Sequence, residues 1–209
     1  GLVGSEMCIR DRSGAGSLSV GLLDEDGEVT DNTRGNLTLF GDSNPTWRGT
    51  TSVVEGSTLT TLNPERISNS STLLVDGAIL LGGNETIGTL SGAGTIANNG
   101  NDITVNQTSA TGFSGNNTGA GGLTNQGEAG LTLAGGSDFT GDANINEGTL
   151  TVSGELATNT INVAEEATLT TTAADLLSAT ATVTADGTLN LGGDQTPVSY
   201  THLTLPTKR

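Results

Sequence analysis

The chain has very few aromatic residues, few cations and a single cysteine. Aromatic residues make up 2% of its 209 positions, and seven Lys and Arg residues stand against 23 Asp and Glu, for a formal net charge of −16. One cysteine cannot build a disulfide framework within the chain. The acidic excess and the lack of a basic stripe argue against nucleic acid or an anionic membrane surface as partner. No apolar run approaches the roughly 20 residues that a membrane-spanning helix needs.

Both ends of the chain are predicted to be translated sequencing adapter. Residues 7–11 (MCIRD) can be encoded by ATG TGT ATA AGA GAC, and the reverse complement, GTC TCT TAT ACA CAT, encodes residues 198–202 (VSYTH). One end therefore encodes the other read backwards, and both resemble the transposon end left by library preparation. We exclude residues 1–12 and 198–209 from fold reasoning, as one excludes an expression scar, and expect the gene to be truncated at both ends.

This exclusion removes every His, Cys, Tyr, Met and Lys from the remaining segment, residues 13–197. Three arginines and 21 acidic residues are left, so the formal charge of the segment is 3 − 21 = −18. Nucleophilic triads and zinc sites need His or Cys. We therefore predict no catalytic, cofactor-binding or metal-binding residue, and no cofactor.

A four-residue phrase recurs along the segment: an acidic residue, a small residue, a hydroxyl residue or alanine, then Leu or Ile. It occurs at Asp76–Ile79, Glu147–Leu150, Glu166–Leu169 and Asp186–Leu189, with a longer variant at Glu55–Leu59 that carries Ser57 as an apparent extra residue, absorbed as a β-bulge. The spacings between second positions, counted from Gly56 in the variant, are 77 − 56 = 21, 167 − 148 = 19 and 187 − 167 = 20. A turn followed by a strand at intervals of about 20 residues predicts a stacked β-solenoid.

The apolar residues alternate with Thr and Asn within each short segment, as in a strand with one buried face. Around the Glu147-Gly148 turn, Ile145, Leu150 and Val152 are predicted to point inward. With about 20 residues a turn, we expect an all-β, right-handed, single-stranded parallel β-helix of about nine rungs. Since stacked strands lie about 4.8 Å apart, the rod would be roughly 45 Å long.

A larger repeat contains the small one. The segment from Trp47 aligns with that from Phe139 at an offset of 92, which falls to 91 after Ser57, and Asp76–Thr86 aligns with Asp186–Thr196 at an offset of 110. The increase of 110 − 91 = 19 predicts one additional rung in the second copy, at residues 156–172. The two copies span about residues 35–112 and 113–197.

At residues 113–152 the sequence resembles a known family. Phe113-Ser114-Gly115, Gly119–Thr124, Gly130–Leu133, Phe139–Gly141 and Glu147–Val152 follow the order of the autotransporter-associated β-strand repeat, and Ile87–Ile96 is similar to the segment that joins successive copies. The resemblance covers nearly all of residues 35–196. It implies a passenger-domain β-helix of a Gram-negative type V secretion protein, with an outer-membrane β-barrel elsewhere in the full-length protein.

The resemblance implies a role as an adhesin or structural stalk at the cell surface or in the extracellular space, outside the outer membrane, with an unknown surface ligand on a host, a neighbouring cell or a polysaccharide. We expect no enzyme activity, no nucleic-acid partner and no membrane contact by this fragment. The alternative is a carbohydrate-active β-helix, a polysaccharide lyase or hydrolase, which would gather three or more acids in a cleft.

Three local features have a structural and a functional interpretation. Asp24–Glu28 could bind calcium weakly, although a solvated hairpin turn at Asp26-Gly27 is favoured. Trp47 could form a sugar-stacking platform, but its alignment with Phe139 favours the interior. Gly119–Gly122 is glycine-rich like a phosphate-binding loop, yet no lysine or helix follows, which favours a turn.

Overall fold

The structure is a computed structural model that describes residues 7–9, 16–21, 34–41, 45–196 and 199–201. The described residues form 23 strands and no helix. The strands are β1 Met7–Ile9, β2 Leu18–Val20, β3 Asn36–Leu39, β4 Thr51–Val53, β5 Thr58–Thr61, β6 Thr72–Val75, β7 Ala78–Leu80, β8 Glu85–Ile87, β9 Thr89–Ser91, β10 Thr95–Ala97, β11 Ile103–Val105, β12 Thr111–Phe113, β13 Asn116–Gly119, β14 Leu123–Asn125, β15 Leu131–Leu133, β16 Ser137–Phe139, β17 Ala143–Ile145, β18 Thr149–Val152, β19 Thr160–Val163, β20 Thr168–Thr171, β21 Thr182–Ala185, β22 Thr188–Leu191 and β23 Ser199–Thr201.

The strands stack into three faces, and every pairing between them is parallel. The first face has the order β1-β3-β5-β7-β10-β13-β16, and the second has the order β8-β11-β14-β17-β19-β21-β23. The third face consists of β2-β4-β6-β9 followed by β12-β15-β18-β20-β22, joined by a bridge between Gly92 and Phe113. Each turn from β7 to β22 visits the first, second and third face in that order, with Leu156 and Leu177 bridging on the first face in the last two turns. The predicted all-β parallel β-helix is therefore confirmed.

The solenoid completes about eight turns, close to the nine expected. The first described turn is long, because it runs from Val20 to its register partner Val53, whereas the next runs only from Val53 to Val75. The separations between register partners in later turns range from 90 − 73 = 17, for Leu73 and Leu90, to 185 − 163 = 22, for Val163 and Ala185. The segments predicted to be adapter supply β1 and β23 at two sheet ends.

Aliphatic side chains line the interior in register columns. Ile145 and Leu150 are 0% and 1% exposed, and Val152 is fully buried, as the alternation predicts. On the first face the column runs Leu37, Leu59, Ile79, Ile96, Asn117, Ser137, Leu156, Leu177. Burial of each aliphatic side chain contributes about 1.5–3 kcal/mol, and because every turn covers its neighbours, a stack is stable where a single turn is not.

The glycine of the recurring phrase allows each corner to sit directly on the corner below. A Cβ on Gly77 would lie 2.4 Å from the carbonyl oxygens of Val54 and Ser57, and one on Gly187 would lie 2.1 Å from that of Ala164. Contacts this short require the backbone to move, so a side chain there would separate two turns.

Ser57 makes its corner, residues 54–57, one residue longer than the equivalent corner 146–148, but it lies outside the strands, so the predicted bulge was wrong. The Ser57 N–H donates to the Val54 carbonyl at 2.9 Å, and the Ala167 N–H donates to that of Ala164 at the same distance. β5 then pairs residue for residue with β3 and β7. Ser57 therefore occupies the corner position of Ala167, and counting from it makes the first spacing 77 − 57 = 20.

The two sequence copies lie on different faces of the solenoid. In the first copy the phrase at Asp76-Gly77 joins β6 on the third face to β7 on the first face. In the second copy the phrase at Asp186-Gly187 joins β21 on the second face to β22 on the third. The sequence offset of 110 is thus not a whole number of turns, and the second copy is rotated by one face.

The predicted additional rung is one complete turn. Leu156 bridges to the first face, β19 lies on the second, and β20 on the third. This turn ends at Thr172 with a hydrogen bond from its N–H to the Val152 carbonyl of the preceding turn, 3.0 Å long. The neighbouring turns keep their register, as expected for a fold in which each repeat contacts only its neighbours.

Candidate functional site

Acidic side chains are spread along the solenoid. Among the described residues, no three His, Cys, Asp or Glu side chains come close enough together to hold a metal ion. The expected lack of catalytic, metal-binding and cofactor-binding residues stays a prediction. Two other features have chemistry of interest: a buried carboxylate at one corner and the polar outer surface.

Glu85 is the one acidic side chain among the described residues that lies inside the solenoid. It is 2% exposed, and its two oxygens accept hydrogen bonds from the backbone N–H groups of Arg66 and Ile67, each 3.0 Å long. The Arg66 Nε donates to the Pro64 carbonyl at 2.9 Å. Through these two hydrogen bonds Glu85 holds the irregular segment 62–71 of the preceding turn, which contains no strand, against its own turn.

Burial is the main cause that raises the pKa of Glu85 from 4.5 to about 7. The hydrogen bonds from Ile67 and Arg66 lower this pKa, the Glu65 carboxylate raises it, and a hydrogen bond with Thr61 lowers it. A raised pKa beside a second carboxylate is a pattern found in glycosidase active sites. In this corner, however, both oxygens already bind backbone groups and almost none of the side chain reaches solvent.

The second copy repeats this corner with a neutral side chain. Gln195 is offset by 110 from Glu85, and its Oε1 accepts from the backbone N–H groups of Leu176 and Leu177, at 2.9 and 3.1 Å. Thr61 and Thr171 are also equivalent, each accepting from the N–H of a glycine, Gly82 or Gly192, at 3.2 Å. Because an amide cannot transfer a proton as a carboxyl group does, the shared role of the two residues is to hold backbone.

The outer side of the second face carries one continuous row of hydroxyl and amide side chains. The row contains Thr86, Thr104, Thr124, Asn144, Asn162, Thr184 and Thr201. Neighbours in the row bind each other in places, as where the Asn162 Nδ2 donates to the Asn144 Oδ1 at 2.8 Å. The third face carries a second such row, Thr132, Thr151, Thr170 and Asn190. The rod therefore presents flat polar faces, as predicted for the alternating Thr and Asn.

A shallow open groove lies at the corner between the second and third faces. It is lined by Asn106, Gln107, Thr108, Gln126, Gly127, Glu128 and Ala129. These residues belong to two successive corner loops, which connect β11 to β12 and β14 to β15. We call this groove the corner groove.

The glycine-rich segment Gly119–Gly122 is the corner between β13 and β14. Gly119 has φ +118°, a conformation that side chains rarely adopt. The buried Asn98 holds the corner, since its Oδ1 accepts from the N–H groups of Gly100 and Gly121 at 3.1 and 3.0 Å and its Nδ2 donates to the Gly121 carbonyl at 3.1 Å. The prediction of a turn at this segment is confirmed.

Replacing Asn98 with alanine is expected to lower the free energy of unfolding by about 2 kcal/mol. The substitution leaves the buried N–H and C=O of Gly121 without these partners, and each unsatisfied buried group costs roughly 1–3 kcal/mol. Urea titration followed by circular dichroism measures the change. Asn146→Ala, at an exposed amide, is the matched control and should stay within about 0.5 kcal/mol; equal effects of the two substitutions would contradict the proposed role of Asn98.

Trp47 is an interior residue. It is 4% exposed, and its Nε1 donates to the Thr51 Oγ1 at 3.0 Å. The burial confirms the interior interpretation and contradicts the sugar-stacking platform. The acidic segment Asp24–Glu28, with its alternative calcium and hairpin interpretations, lies outside the described residues.

Sequence reasoning missed Glu85 and the corner groove. A signal for Glu85 was present, because Ile87 points inward and strand alternation then also places Glu85, two residues earlier, inside. The groove has no comparable signal, since it arises from two loops that are one full turn apart in the sequence and become neighbours only through stacking.

No family model, curated protein or solved structure matches the chain. The described residues also contain no helix long and apolar enough to cross a bilayer.

Proposed function

We propose that residues 13–197 are part of the passenger domain of a Gram-negative autotransporter, displayed at the cell surface and acting as an adhesin or stalk. The observation that carries this proposal is the uninterrupted parallel stack with its polar outer faces. A rod of this kind offers extended surface for contact. The order of the phrases in residues 113–152, which resembles the autotransporter-associated repeat, supports the route to the surface.

The mechanism is geometric. The interior columns fix each turn, and stacking repeats the outward Thr and Asn side chains about every 4.8 Å along the rod. A partner that lies along the rod would meet the same groups turn after turn. Many weak contacts of this kind add up to strong attachment without a deep pocket.

The proposal is tested by displaying residues 13–197 on a laboratory Gram-negative strain through a heterologous outer-membrane anchor. We expect cells carrying the chain to be retained under flow on abiotic surfaces, cell monolayers or each other several-fold better than cells carrying the anchor alone. The matched control is the same fusion with Leu150→Asp, which places a charge in the core and should unfold the solenoid while keeping the composition.

Retention that is equal with and without the chain on all these surfaces would contradict the adhesin role, and the stalk role alone would then remain as the proposal. Release of reducing sugar from polysaccharides by the purified chain would contradict the non-enzymatic role. Localisation is tested separately by fractionation of the source cells with an antibody against residues 13–197, since a cytoplasmic protein would contradict surface display.

A further inference from the structure

We propose that the corner groove binds the neutral, hydroxyl-rich chain of a polysaccharide, running along the rod. This inference rests on the proposed function, because it names the ligand class of a binding surface on the displayed rod. It is carried by the shape of the corner, by side chains that have no partner within the described chain, and by the local charge.

The shape comes from loop length. Five residues lie between β11 and β12, at 106–110, and five between β14 and β15, at 126–130. The next corner on the same edge, between β17 and β18, has only the three residues 146–148. Two long loops in successive turns project beyond the edge and leave a concavity between them.

The floor of the groove is fixed by buried contacts. Gln107 is 1% exposed, and its Oε1 accepts from the Leu90 N–H at 3.4 Å while its Nε2 donates to the Gly130 carbonyl at 3.4 Å and to the Thr111 hydroxyl. A Cβ on Gly127 would lie 2.2 Å from the backbone N and O of Gln107, so the two loops touch through backbone. A fixed floor lowers the entropy cost of binding.

Four side chains on the rim are available to a ligand. Asn106 is half-buried and Thr108, Gln126 and Glu128 are exposed, and none of these four side chains forms a hydrogen bond within the described residues. The two amides each offer donors and an acceptor, the hydroxyl offers both, and the carboxylate accepts. This set matches sugar hydroxyl groups, which also donate and accept.

The charge of the groove selects against anionic polymers. Glu128 is its one charged lining residue, and no Lys or Arg lines it. A uronic acid or sulfated polymer would be repelled, whereas a neutral sugar hydroxyl can donate to the carboxylate.

The spacing of the amides fits a polymer. Asn106, Gln126 and Asn146 each follow a register-matched strand end, Val105, Asn125 and Ile145. Amides in successive turns are thus about 4.8 Å apart, close to the length of one sugar unit in an extended chain. A polysaccharide parallel to the rod would meet one amide per sugar.

Binding is measured by biolayer interferometry with the purified chain against four immobilised neutral polymers, dextran, laminarin, yeast mannan and galactan, and against polygalacturonate. We expect saturable binding to at least one neutral polymer, little change between low and physiological salt, and no binding to polygalacturonate. The double variant Gln126→Ala/Glu128→Ala should weaken binding at least tenfold, since it removes two hydrogen-bonding side chains.

Asn69→Ala with Glu155→Ala is the matched control, because it removes one exposed amide and one exposed carboxylate that belong neither to the groove nor to the Thr and Asn rows. The control should bind the polymers as tightly as the unaltered chain does. Both double variants should have the same melting temperature as the unaltered chain. Failure of all four neutral polymers, a preference for polygalacturonate, or equal loss in both double variants would overturn the inference. Surface retention that survives loss of the groove would refute it while leaving the proposed function in place.

Discussion

Phe139→Ala is expected to lower the free energy of unfolding by about 3–5 kcal/mol, the usual cost of removing a fully buried aromatic ring. Phe139 ends β16 and is the register partner of Gly119, which has no side chain to fill the vacated space. The strands on either side are locked by parallel hydrogen bonds, so the cavity cannot close by local movement. Urea titration monitored by circular dichroism measures the loss.

The control for this experiment is Thr140→Ala, one residue further on at an exposed position, where a change within about 0.5 kcal/mol is expected. Phe139→Leu should fall between the two, because it keeps part of the buried volume. A loss below about 1 kcal/mol for Phe139→Ala would show that the interior at this turn is not packed as the structure has it.

The strand pattern and the turn phrase were enough to predict the fold, because in a solenoid local sequence and global structure have the same period. Ile145, Leu150 and Val152 were placed correctly from alternation alone. A period of about 20 residues then indicated stacking, since each repeat is too short to bury its apolar face alone and is covered by its neighbours. Trp47 was likewise placed inside from its alignment with Phe139.

The arrangement of the copies could not be predicted in this way. Sequence offsets of 91 and 110 measure distance along the chain and do not identify faces, and turns of unequal length accumulate differences that shift the second copy by one face. The sequence pattern also did not predict which interior positions are polar. Asn117 and Ser137 stand next to each other in the aliphatic column of the first face, and the Asn117 Oδ1 and Ser137 Oγ have no hydrogen-bond partner among the described residues.

The rotation of the copies has a consequence for display. Equivalent segments, such as 62–67 and 172–177, lie on two different faces of the rod because their copies differ by one face. A partner on one side of the rod would therefore meet one copy of each segment, whereas the Thr and Asn rows follow single faces. This difference favours the rows and the corner groove, which belong to neighbouring turns, as the surfaces used for extended contact.

Glu85→Gln is expected to stabilise the protein above pH 7 and to leave it nearly unchanged near pH 4.5. The pKa of Glu85 is about 7 in the folded chain against 4.5 for the free group. Between these values the folded state holds a proton that the unfolded state has lost, so the free energy of unfolding falls as pH rises through this window. At 1.36 kcal/mol per pKa unit the full difference is about 3 kcal/mol.

Glu85→Gln removes this fall in the free energy of unfolding, because an amide does not ionise. It keeps the hydrogen bonds from the backbone, as Gln195 shows by accepting from two N–H groups through one amide oxygen in the equivalent corner. Unfolding titrations of both proteins from pH 4 to 8.5 give the difference directly.

Gln195→Glu is the reciprocal test, since it should create in the second copy the pH dependence that Glu85→Gln removes from the first. Its effect should be smaller, because Gln195 is only half-buried and water screens a charge there. A pH-independent difference between the unaltered chain and Glu85→Gln would contradict the raised pKa of Glu85, because it would mean that this carboxyl group titrates alike in the folded and the unfolded chain. The two substitutions together should exchange the behaviour of the corners, because the same backbone geometry is held in one copy by a titratable group and in the other by a neutral one.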